Sequence, residues 1–182
     1  MSVETLDKPN EVAQKTYTLK PEVEKRRKYL LQYFPFKSYM LSQLPLALFA
    51  GLRIRKITTE TCEVSLPYGW RSQNPFRSIY FAALSMAAEM STGAMGMLAV
   101  QNSDKNVSIL IVSMEAQFTK KANQLTTFTC NDGHKVFAAV EEAEKTGEGV
   151  KVQTESIGRM KDGTEVARFK FVWSFKARME RG

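Results

Sequence analysis

Twenty-six consecutive residues, 78–103 (SIYFAALSMAAEMSTGAMGMLAVQNS), carry a single charge, Glu89. An apolar run of this length either crosses a bilayer or forms the centre of a core. Read as a helix over 77–98, at 100° per residue, it is not symmetrical. Ser78, Ala82, Ser85, Glu89, Thr92, Gly93 and Gly96 fall within about 100° of one another. All but Glu89 are small, so that face permits close approach. The opposite side carries Ile79, Tyr80, Leu84, Met90, Met95 and Leu98.

Three readings of Glu89 stand open at this point. In the first, the segment spans a membrane and places an acid in mid-bilayer, which is costly. In the second, Glu89 is hydrogen-bonded or partly exposed and serves packing. In the third, it is a working carboxylate in a low-dielectric cleft, where desolvation raises its pKa toward the catalytic range. The amphipathic strands on either side favour a core over a bilayer, so no membrane span is expected.

Those surroundings read as one α+β domain over 20–182, preceded by a flexible tail, 1–19. Pro21-Glu22 opens a basic helix, EVEKRRKYLLQYF, which Pro35 ends. A second helix, FKSYMLSQLPLALFAG, puts Met40, Leu41, Leu44 and Leu48 on one face, kinks at Pro45 and closes at Gly51. These N-terminal helices fill 20–50. The apolar-rich residues 40–52 are too few to cross a bilayer. Over 53–66 the period drops to two, which predicts one long strand with Cys62, Val64 and Leu66 on its buried face. Strands follow at VSILIVSMEAQFT and NQLTTFTC, then a helix at HKVFAAVEEAEKT. Two last strands, GVKVQTESIGRM and TEVARFKFVWSFK, flank a hairpin signal at Lys161-Asp162-Gly163. The expected architecture is an antiparallel sheet of five or more strands wrapped around one long central helix.

The formal charge of +7 suits an anionic partner: nucleic acid, anionic lipid or a phosphate-bearing small molecule. A solvated basic surface is the simpler explanation. The basic stretches EKRRK and KARMER are short, near the ends and free of interleaved aromatics, so no nucleic-acid partner is expected. His134 is the single histidine, which removes Cys/His zinc motifs and histidine-centred triads. Cys62 and Cys130 lack CxxC spacing and are expected as buried thiols. The opening stretch has no basic n-region before an apolar h-region, so a cytoplasmic location is expected.

Residues 74–89, NPFRSIYFAALSMAAE, resemble a motif of the hotdog-fold acyl-CoA thioesterases. The phenylacetate-type members carry a pattern of roughly N-x-x-G-x-V-H-G-G-A-x-x-x-x-x-D. Asn74 matches its asparagine, Ile79 its valine and Glu89 its acid, which is Glu in some branches. Tyr80-Phe81-Ala82 stands where the family has His-Gly-Gly, and Arg77 replaces the earlier glycine. Gly93, with Thr92 beside it, takes a position where some branches carry a hydroxyl. The likeness extends in order and length over 46–176. The leading helices and the helix after NQLTTFTC are similar to the DUF4442-type branch.

That resemblance implies a hotdog fold and hydrolysis of acyl-CoA-type thioesters, with no cofactor and no metal. It gives Glu89 the role of base or nucleophile, and Asn74 that of orienting water or the thioester oxygen. Tyr80, Phe81 and Ala82 lie at the start of the long helix, whose free N–H groups would hold the oxyanion. Ser85, Thr92 and Gly93 would line the substrate. Lys120, Lys121, Arg71 and Arg77 are candidate attractors for coenzyme A phosphates, or plain solvated charges. A homodimer or a dimer of dimers is expected, with Asn74 and Glu89 of one composite site drawn from different chains. The alternative is a non-catalytic dimeric module that binds acyl-CoA or fatty-acyl groups.

Overall fold

The computed structural model describes residues 15–178. Most of the expected tail, 1–19, lies outside the described residues. Along the chain come α1 (Pro21–Leu31), α2 (Tyr33–Gln43), α3 (Pro45–Ala50), β1 (Arg53–Ile57), β2 (Cys62–Leu66) and α4 (Phe81–Asn102). Then follow β3 (Val107–Phe118), β4 (Thr126–Cys130), α5 (Gly133–Thr146), β5 (Gly149–Met160) and β6 (Glu165–Ala177). The six strands form one sheet in the order β1-β2-β4-β5-β6-β3, with every neighbouring pair antiparallel.

Alternation in β6 puts Phe169, Phe171, Trp173 and Phe175 on the inner face, where all four are buried. Phe169 and Phe171 stack with ring centroids 6.0 Å apart, and Phe128 of β4 meets Phe169 edge-on. The long helix α4 lies across this face and touches every strand of the sheet. It can do so because glycines sit where β6 crosses. A Cβ at Gly93 would lie 3.1 Å from the Trp173 ring, and one at Gly96 would lie 3.4 Å from Phe175 and 2.6 Å from Ile109. The small-residue face read from the sequence is therefore the contact between helix and sheet at these two positions. By length and composition α4 is the one helix among the described residues that would cross a bilayer, but two thirds of its apolar window is buried inside the protein.

Four local expectations need correction. The central helix spans Phe81–Asn102, not 77–98. Residues 77–80 are held out of it because Ile79 N–H donates to Ala122 O and Tyr80 N–H to Ser72 O, while Arg77 adopts φ 57°. The strand expected over 53–66 is a hairpin, β1 and β2, paired from Arg53↔Ser65 to Ile57↔Cys62. Its turn is made by Thr58, whose hydroxyl accepts from the N–H groups of Glu60 and Thr61, so no Gly or Pro marks it. Pro35 does not end the first helix. The break falls at Gln32, and Pro35 sits in the first turn of α2, where its missing N–H costs nothing. At Leu44 the expected kink is a full break, after which Pro45 opens α3. Gly51 closes α3 in the left-handed region, at φ 85°, as expected.

Cys62 and Cys130 face each other as register partners on β2 and β4, both reduced and buried. Burial pushes the Cys62 thiol well above its ordinary range and the Cys130 thiol up to about 12. Neither thiol is expected to react with an aromatic disulfide reagent at pH 8 in the folded protein, and both should react in guanidinium. Rapid labelling of the native protein would contradict this packing.

Candidate functional site

Glu89 sits in the third turn of α4, and its side chain borders a cavity of about 230 Å³. The floor is α4 itself, with Met90, Gly93 and Met97, together with Trp173 of β6. The roof comes from the N-terminal helices: Leu30 of α1, and Phe36, Tyr39 and Met40 of α2. Ile54 and Ile57 of β1 close one side. The lining is overwhelmingly aliphatic and aromatic, so a carboxylate here loses most of its hydration.

The Glu89 carboxylate has no hydrogen-bond or ion-pair partner among the described residues. Its pKa is raised above the ordinary value near 4.5, and burial is the whole cause. Two guanidinium groups also border the cavity. That of Arg27 is turned away: Nε and Nη2 bind Glu24 at 2.7 Å each, and Nη1 donates to Ile57 O at 2.8 Å. Arg26 is exposed at the rim. Below the carboxylate the geometry is tight. A Cβ at Gly93 would stand 2.8 Å from Glu89 Oε1, so glycine there leaves room for the acid. Thr92 Oγ1 donates to Glu89 O at 3.0 Å and accepts from Trp173 Nε1 at 3.1 Å, which fixes the indole that forms the cavity floor.

The other residues singled out from the sequence lie elsewhere. Tyr80 is the N-cap of α4 and Phe81 its first residue; both rings are about half exposed and meet edge-on at 4.9 Å. Tyr80 supplies no side-chain cap, and the first N–H groups of the helix, Phe81 and Ala82 among them, have no intrahelical acceptor. From Phe81 to Glu89 is eight residues, about 12 Å along the axis. Ser85 Oγ donates to Phe81 O at 2.9 Å and serves the helix itself. Asn74 lies in the loop before α4, where its Oδ1 accepts from Phe76 N–H at 3.0 Å and Ser78 N–H at 3.2 Å. That oxygen shapes the loop around Arg77. Within one chain, then, Glu89 and Gly93 share the cavity, Thr92 supports it, and Asn74, Tyr80, Phe81, Ala82 and Ser85 do not border it. Sequence alone does not single out Trp173 or the roof residues Leu30 and Tyr39 as lining the site. Alternation showed that Trp173 points inward, but no local signal shows which helix covers it.

A six-stranded antiparallel sheet wrapped around a single long helix is the hotdog fold, and several solved structures similar to it are described as thioesterases or probable thioesterases. The family model for a domain of unknown function, DUF4442, matches residues 35–175, and the chain belongs to that family. One similar structure is a Pseudomonas aeruginosa protein of unknown function described as a probable thioesterase. It shares 17% identity over 81% of this chain and 97% of that one, with a TM-score of 0.67. Another, a protein of unknown function from Chlorobaculum tepidum, has a TM-score of 0.70 at 15% identity, over 85% of this chain and 96% of its own. A thioesterase from Haemophilus influenzae matches at 11% identity and a TM-score of 0.55, covering 92% of this chain and 96% of that one. No curated protein matches the sequence.

Proposed function

We propose that the protein hydrolyses acyl-CoA-type thioesters, with Glu89 as the working carboxylate. The observation that carries this reading is an unpartnered, desolvated acid facing an apolar cavity. The acyl chain would occupy the cavity and bring the thioester carbonyl to Glu89. As base, Glu89 takes a proton from water while the oxygen adds to the carbonyl carbon. Collapse of that adduct breaks the C–S bond and the thiolate leaves with the electron pair. As nucleophile, Glu89 would attack the carbonyl carbon, the C–S bond would break with departure of the thiolate, and water would then open the resulting anhydride to the free acid and the Glu89 carboxylate. The test is turnover of a panel of acyl-CoA esters of increasing chain length, read by release of free thiol. Hydrolysis lost in Glu89→Gln supports the proposal, and hydrolysis unchanged in that variant removes Glu89 from it.

A second reading has its own support. The bulky Tyr80 and Phe81 at the helix start, and the ~12 Å between that start and Glu89, suit a module that holds an acyl group without turning it over. Thermal protection by acyl-CoA with no thiol released would select it.

We infer further that two copies pair along β3. This strand is at the edge of the sheet, runs for 12 residues and, among the described residues, pairs only with β6. Leu110, Ile111, Val112 and Met114 on it are exposed. A long apolar edge of this kind invites a second strand. Light scattering at micromolar concentration is expected to give twice the chain mass of 20.6 kDa, reverting to one chain in Leu110→Lys/Val112→Lys. A wild-type monomer would overturn the pairing. In such a dimer Asn74 and the start of α4 from one copy would complete the site of the other.

A further inference from the structure

We propose that the outward face of α2 and α3 is a docking surface for an anionic lipid bilayer. The sequence expectation for this segment placed Met40, Leu41, Leu44 and Leu48 on one helix face. Met40 is buried and Leu44 borders the Glu89 cavity, but Leu41 borders the groove on the other side and is 66% exposed. Phe34, Leu46 and Phe49 also stand out into solvent, at 78%, 67% and 51% exposure. Trp70, from the loop after β2, is 75% exposed and meets Phe49 edge-on with centroids 5.9 Å apart. Large apolar side chains gathered in this way are rarely left in water without a purpose.

The charge around them is of one sign. Residues 32–59 contain no acid. Between α2, α3 and the edge of the sheet runs an open groove of about 650 Å³, whose lining includes Lys37, Arg53, Arg55 and Arg71 and no carboxylate. None of these four cations forms a salt bridge among the described residues. Neutral groups position three of them. Lys37 Nζ donates to Tyr33 Oη, Arg53 lies over the Tyr33 ring at 5.2 Å, and Arg55 Nε donates to Ser65 Oγ at 2.6 Å. Burial, and then the charge of Arg53, depress the pKa of Arg55, so an arriving anion would relieve a repulsion already present.

This combination selects the occupant. Exposed Phe and Leu on two short helices beside an exposed loop Trp, rimmed by Lys and Arg, suit the headgroup region of a bilayer. A second copy of the chain fits poorly, because a two-fold contact would set these cations against themselves. At 11 and 6 residues, α2 and α3 are too short to span a bilayer, so the contact is peripheral.

The test uses the full chain with vesicles of phosphatidylcholine alone, or with about 30 mol% phosphatidylserine to supply an anionic surface. Co-sedimentation is expected with the anionic vesicles, falling as salt rises. Tryptophan emission should shift to the blue on binding, and the shift should vanish in Trp70→Phe. Lys37→Gln/Arg71→Gln should weaken binding about 30-fold, at roughly fivefold per cation. Phe34→Ser/Trp70→Ser, both at exposed positions, should weaken it while the melting temperature holds. Absence of wild-type sedimentation with anionic vesicles overturns the proposal, and this arm needs no variant. So does equal binding to both vesicle types. Self-association abolished by Phe34→Ser/Trp70→Ser would assign the face to a second copy instead.

Discussion

Glu89→Gln is expected to lower thioester hydrolysis by roughly 10²–10⁴-fold, the range for loss of an acid–base group. The substitution keeps the shape of the side chain and removes only its charge and basicity. Folding should not suffer. Burial raises the Glu89 pKa, so the folded state holds its proton more tightly than the unfolded chain does. The stability this lends is full below the ordinary value near 4.5 and is lost as pH rises through the raised folded value. At neutral pH the carboxylate is therefore a burden on the fold, and the neutral amide should leave the melting temperature equal or higher. Activity runs the other way: wild-type hydrolysis should climb with pH through the raised pKa, as the base form appears. A variant that keeps activity, or that melts well below wild type at pH 7, would assign Glu89 a structural role.

Gly133→Ala should be among the most destabilising single-methyl changes available. Gly133 opens α5 and donates its N–H to Glu60 O at 3.0 Å, which ties the helix to the β1–β2 turn. A Cβ there would stand 2.2 Å from Thr59 O and 2.7 Å from Glu60 Cα. Both obstacles are backbone, so no side chain can swing aside. Either the turn moves or the hydrogen bond breaks. Overpacking costs 1–3 kcal/mol and sometimes more; about 3 kcal/mol is reasonable here. For a chain of this size that lowers the melting temperature by roughly 6–12 °C. Gly69→Ala is the matched control, since a Cβ at Gly69 meets nothing within 4 Å. Equal melting of the two variants would refute the account.

The layers of the fold were legible because periodicity reports burial directly. The alternation of Phe169, Phe171, Trp173 and Phe175 marked the inner face of β6, and the lone charge of residues 78–103 marked α4 as central. What escaped were features set by single side-chain hydrogen bonds or by contacts between separate segments. The turn between β1 and β2 rests on one threonine hydroxyl, which period-two counting passes over. The start of α4 is fixed by carbonyls of Ser72, in the loop before it, and of Ala122, beyond β3. The cavity was hidden for the same reason. Glu89 stood out as an isolated acid, but nothing local in EVEKRRKYLLQYF says that Leu30 will lie above it. Asn74 could be aligned to a motif, yet its oxygen is spent on Phe76 and Ser78, a use that spacing alone does not reveal.

The roof and floor of the Glu89 cavity are encoded in separate stretches of chain. Leu30, Tyr39 and Met40 belong to helices that pair with no strand, whereas Gly93 and Trp173 belong to the helix and sheet that define the fold. Substitutions in the roof can deepen or shallow the room above the carboxylate while the β6 register and the seat of Glu89 stay as they are. The length of the guest and the chemistry at its end are thus free to evolve on different clocks, the first through residues before 50 and the second through α4 and β6.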